Sequence, residues 1–79
     1  MRNDERFSRA VAEAVNKHAE AAGKTRADLV RGTGMARPTL DRSLDGHRPL
    51  TASEIHAFAR EINVSASVLM AEAEMGVAA

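Results

Sequence analysis

Four residues fix where this chain can and cannot be helical: Gly32, Gly34, Pro38 and Gly46, all within the stretch TRADLVRGTGMARPTLDRSLDG that runs from Thr25 to Gly46. Glycine weakens a helix interior by about 1 kcal/mol relative to alanine, and proline is tolerated only in a first turn, where its missing N–H has no intrahelical partner. A helix that starts at Thr25 therefore stops near Gly34. The next starts just before Pro38, at about Arg37, and stops at Asp45-Gly46, after Leu44. Thr25 reads as the cap of the first, with Asp28 completing a capping-box arrangement. Leu29 and Val30 supply its apolar side, Met35 plugs the corner, and Leu40 and Leu44 form the buried side of the second helix. The other face of that second helix carries Arg37, Pro38, Thr39, Asp41 and Arg42. A short helix that buries two leucines and shows hydrogen-bonding side chains outward suits a reader of the DNA major groove. We read the pair as a helix-turn-helix.

Three further helices fit the pattern. The first runs from about Asp4 to about Ala22, with Phe7, Ala10, Val11, Ala14, Val15 and His18 at helical spacing on one face, and Gly23 ends it. After the loop HRPL, Thr51-Ala52-Ser53-Glu54 is a full capping box opening a fourth helix that buries Ile55, Phe58, Ala59 and Ile62. Asn63 breaks it. Ser65 caps a fifth helix, with Val64 and Leu69 as a hydrophobic staple. Val68 and Leu69 are expected to face the core, Met70 and Met75 to be exposed, and the tail after about Glu74 to be frayed. The predicted fold is all-α: one compact five-helix bundle over residues 1–79.

Composition agrees and excludes much else. Alanine is abundant while β-branched and aromatic residues are sparse, which favours helices over strands. With only Phe7 and Phe58 as aromatics, a stacking platform for single-stranded nucleic acid or RNA is absent. There is no cysteine, so neither a disulfide framework nor a thiolate metal site is possible, and a reducing cytoplasm is the natural setting. No apolar run approaches the ~20 residues of a membrane span, and MRNDERF lacks the apolar block of a signal peptide. His18, His47 and His56 are dispersed, so no metal site is expected; nothing resembles a nucleophile elbow or a phosphate loop, so neither catalysis nor a cofactor is expected. The net charge is zero but unevenly spread. From Lys24 to Arg48 six bases face three acids, beyond Arg48 one base faces four acids, and the first 23 residues balance. Ordinary solvated helix charge explains this as well as a positive field over a reading unit does.

Laid out as LV…TGMARPTLDRSLDGHRPLT…IHAFAREINVSASVLM, the chain resembles the lambda-repressor and Cro-type helix-turn-helix family of phage and bacterial transcription regulators. The resemblance spans roughly Val15 to Met70: a short helix, Gly34-Met35 at the turn, a reading helix closed by Gly46, a basic loop, then Ala-Arg-Glu-Ile-Asn-Val-Ser at 59–65 and a last short helix. Three positions depart from the family pattern. Val30 stands where a small residue is preferred, Ser43 where an aliphatic is usually buried, and Ala36 where a hydroxyl usually caps. These bear on the angle of the reading helix, and Leu44 is placed to carry some of the burial lost at Ser43.

The resemblance implies that the first residues of the third helix face base edges. Arg37 matches a base-reading position; its guanidinium could bond O6 and N7 of one guanine, worth ~1–3 kcal/mol of discrimination. Arg42, about 140° further round the helix, would reach the other side of the groove. Thr39 offers a methyl to thymine or a hydroxyl to a phosphate. Asp41 could accept from cytosine N4, or pair with Arg37 and hold it. Phosphate contacts are expected from Thr25 and Arg26 at the start of the second helix, and from His47 and Arg48 in the loop. Thr25 is equally explained as a cap. Arg2 and Arg6 read either as an arm toward DNA or as a disordered terminus. The implied function is sequence-specific binding of an operator in double-stranded DNA, as a homodimer, by a bacterial or phage-encoded repressor in the cytoplasm. The rival is a protein-interaction module such as an antitoxin or anti-repressor, using the acidic C-terminal half.

Overall fold

The computed structural model describes residues 3–78, which form five helices: α1 Asn3–Ala21, α2 Arg26–Thr33, α3 Arg37–Leu44, α4 Ala52–Glu61 and α5 Ala66–Ala78. No strand occurs among the described residues. The all-α class and the order of the five elements are those expected from the sequence.

Both capping boxes form. Thr25 accepts from the Asp28 N–H and Asp28 accepts from the Thr25 N–H; Thr51 and Glu54 do the same at the start of α4. Each satisfies two of the N–H groups that a helix start leaves without partners. At the other ends, α3 closes through the His47 N–H to the Arg42 carbonyl (2.9 Å) and the Gly46 N–H to the Ser43 carbonyl (3.2 Å). Helix α4 closes in the same way through Val64 to Ala59, with Asn63 at φ 57° doing what glycine does elsewhere. Ser65 caps α5 by accepting from the Val68 N–H at 3.2 Å.

Phe58 lies at the centre, fully buried, with Val11 and Val15 of α1, Leu29 of α2, Leu40 and Leu44 of α3, Ile55 and Ile62 of α4, and Leu69 and Ala73 of α5. Burying each of the larger side chains contributes about 1.5–3 kcal/mol. Val30, Met35, Val64 and Met70 pack against this cluster from outside. The most extensive helix pairing is α1 with α5, which run antiparallel: Arg6 reaches Val77, Ala10 faces Gly76, and His18 reaches Glu72.

Four expectations shift. Leu69 is buried, but Val68 is 41% exposed, because one residue is a 100° turn and only one of the two can face α1 and α4. Met70 is partly buried rather than exposed, whereas Met75 is exposed. Helix α5 continues to Ala78, past Glu74, since Ala73 is buried and Gly76 sits against α1. Arg2 lies outside the described residues; Arg6 is no arm, its guanidinium donating to the Val77 carbonyl at 3.1 Å.

Candidate nucleic-acid interface

The turn between α2 and α3 depends on Gly34, at φ 75°, a left-handed conformation that side chains with a Cβ disfavour. Its N–H closes α2 on the Val30 carbonyl at 2.9 Å. Thr33 steadies the corner, donating its hydroxyl to the Leu29 carbonyl (2.6 Å) and accepting from the Met35 N–H (3.2 Å). Helix α3 then starts without a side-chain cap, since Ala36 has none to offer, and Pro38 occupies its first turn. Leu40, Ser43 and Leu44 are buried. That leaves Arg37, Pro38 and Arg42 exposed and Thr39 and Asp41 half-buried on the outer face.

Two residues outside the helix-turn-helix hold α3 in place. Asn16 of α1 donates its side-chain amide to the Leu44 carbonyl at 2.8 Å, satisfying one carbonyl of the last turn. Arg48 donates to the Ser43 hydroxyl (2.8 Å) and, in a two-pronged pair, to both oxygens of Glu54 (2.9 and 3.0 Å). This explains the polar residue at 43: a fully buried hydroxyl is satisfied by the guanidinium that also braces α4. The Arg48 guanidinium holds the Glu54 carboxyl below the usual carboxylate range, and Glu54 in turn raises Arg48.

On the outer face a second charge network forms. Arg26 reaches from α2 to α3, Nη1 to Asp41 Oδ1 and Nη2 to Asp45 Oδ1, both at 2.9 Å. Arg37 Nε donates to both oxygens of Asp41, at 3.0 and 3.2 Å. The hydrogen bonds from Arg26 and then Arg37 lower the Asp41 pKa, and Asp45 and Asp41 raise that of Arg26. Arg31 pairs with Asp28, whose carboxyl is held low chiefly by the Thr25 backbone N–H and also by its hydroxyl.

The structure thus brings Arg26, Arg37 and Asp41 together with Asp45, which the sequence reading had not included. It does not leave all four phosphate candidates equally available. The Thr25 side chain is engaged in its cap, the terminal nitrogens of Arg26 are engaged by Asp41 and Asp45, and Arg48 is turned toward Ser43 and Glu54. His47 is exposed and without a side-chain partner among the described residues, as is Arg42. Arg9 of α1, missed in the sequence because it lies far from the turn, packs its side chain against Gly46 and shares a shallow groove with Ser8 and His47. The only hint was its place outside the apolar face of α1.

No family model matches the chain, and neither does any curated protein. Among solved structures the chain is similar to the clp gene regulator ClgR from Corynebacterium glutamicum, with a TM-score of 0.85 over 91% of this chain and 77% of that one, at 15% sequence identity. That likeness is one of fold. No helix among the described residues is long and apolar enough to cross a membrane.

Proposed function

We propose that the chain is a sequence-specific double-stranded-DNA-binding regulator of transcription, of the Cro and repressor kind, reading base edges with the outer face of α3. The observation that carries this reading is the disposition of that face: Arg37 and Arg42 project from a short helix anchored by Leu40, Ser43 and Leu44, and their outermost nitrogens bond to nothing among the described residues. Arg37 and Arg42 serve as base contacts and Thr39 as a methyl or hydroxyl contact beside them. His47, with Arg9 beside it, faces the flanking phosphates, and the first turn of α2 at Thr25 and Arg26 lies next to them. The protein acts on an operator as a homodimer in the bacterial cytoplasm, with Val68 and Met75 on α5 as its apolar contact. No catalytic step and no cofactor enter this reading.

Selection of bound duplexes from a random pool, at two salt concentrations, tests it. A recovered palindrome whose affinity falls as salt rises supports an operator-binding dimer. No enrichment at either salt overturns it. The second reading, a protein-interaction module, then takes its place, favoured by the exposed Val68 and Met75 beside Glu74.

A further inference from the structure

The outer face of the helix pair holds a chain of charges rather than a row of independent contacts. Asp41 Oδ1 accepts from both Arg26 Nη1 and Arg37 Nε, and Arg26 is itself anchored at its other terminal nitrogen by Asp45, one turn further along α3. Two consequences follow from atom usage. Arg37 spends Nε on Asp41 and keeps Nη1 and Nη2 without partners among the described residues, which is the end of a guanidinium that can meet two acceptors side by side. Asp41, doubly engaged, has its charge offset where a bare carboxylate would be repelled by phosphates. Only α2 supplies the second cation, so the arrangement of the reading side chain depends on a residue that need not touch DNA.

We propose that Arg26 is a specificity-determining positioning residue: by fixing Asp41 it holds Arg37 Nε and turns the two terminal nitrogens of Arg37 toward O6 and N7 of a single guanine. Asp41 is then a positioning residue and not a reader of cytosine, and Arg26 acts through it and not through a phosphate. This rests on the DNA-reading function proposed above, and deepens it by naming the base and the residues that select it.

The test compares duplex selections for the wild type, Arg26→Met, Asp41→Asn and Asp45→Asn, with helical circular dichroism to confirm folding. Arg26→Met and Asp41→Asn should each reduce the preference for guanine at one operator position by about fivefold to tenfold, with preferences at other positions kept. Combined, they should do little more than either alone, as expected of residues acting in one chain. Asp45→Asn, which leaves the Arg37–Asp41 pair in place, should change that preference less than either. In the free protein, the Arg37 Nε–H signal in nitrogen–proton spectra should move in Arg26→Met and stay in Asp45→Asn. Uniform weakening for all sequences with guanine preference intact would overturn the proposal and make Arg26 a phosphate contact. An unmoved Arg37 Nε–H signal in Arg26→Met would overturn it independently of DNA. A wild type that enriches no duplex overturns the DNA-reading function and this inference with it, a result distinct from the other two.

Discussion

Two arginine networks flank α3, built from the same chemistry and placed in opposite settings. At the inner edge Arg48 satisfies the buried Ser43 hydroxyl and pairs with Glu54, whose side chain is 20% exposed. At the outer edge Arg26 pairs with Asp41 and Asp45, whose side chains are 36% and 50% exposed. The guanidiniums themselves differ little in exposure; what separates the networks is what each would leave behind if broken. Removing Arg48 orphans a buried hydroxyl and unpairs a carboxylate that also caps α4. Removing Arg26 returns the Asp45 carboxylate to water and leaves Asp41 paired with Arg37. One network is therefore a brace for the fold and the other an adjustable part of a surface, and a count of ion pairs would not tell them apart.

The largest effect that bears on this contrast is expected from Arg48→Met. The Ser43 hydroxyl left without a partner costs about 1–3 kcal/mol in urea unfolding. The same change made on a Ser43→Ala background should be milder, and equal losses in both backgrounds would break the distinction. Next comes acid sensitivity. The folded-state pKa of Glu54 is lowered, chiefly by the hydrogen bond from Arg48, so its contribution is fully present above the ordinary glutamate range and is lost as pH falls through the depressed value. Unfolding measured between about pH 3 and pH 6 should show a shallower acid decline in Glu54→Gln than in the wild type.

A carboxylate that belongs to neither network sharpens the comparison. Glu61 lies over Gly32, where an added Cβ would meet its carboxyl group, the far end of a flexible side chain. It has no ion-pair partner among the described residues and is free to swing aside. Gly32→Ala should therefore stabilise the fold by up to about 1 kcal/mol, seen as a raised urea midpoint. A loss instead would mean that this contact matters to the α2–α4 packing. The smallest change in stability belongs to Arg26→Met, below about 1 kcal/mol in the same assay. Its effect is expected in base preference, so a large unfolding penalty there would place the outer network with the inner one.

How much of this was legible in the sequence follows the range of the forces involved. Caps and closures are local: Thr25 with Asp28, Thr51 with Glu54, Gly46 and Asn63 each act within six residues, and the spacing alone places them. The core face of each helix largely follows from periodicity; Ala12 is buried off the predicted face of α1, and on α5 Val68 and Met70 differ from expectation, a single step around that helix exchanging inside for outside. Ser43 was visible as a polar residue at an apolar position, but its partner comes from a loop whose path the sequence does not specify. The sequence leaves Asp41 open between base contact and a pair with Arg37. The structure gives the pair, and adds Arg26 because α2 and α3 cross close enough for a guanidinium to span them. Arg6 could not be placed, because Val77, its partner, lies 71 residues away.

The pairing of α1 with α5 imposes an order on assembly. Val11 and Val15 are made before Leu69 and Ala73, yet they reach full burial in a cluster that includes them. Local contacts within α2, α3 and α4 can form while the chain is still being synthesised, but the side of α1 that packs on α5 stays uncovered until α5 emerges, with α3 covering the rest. The helices that present Arg37 can thus take shape before α5 is made, whereas the α1–α5 pairing closes only once α5 has followed.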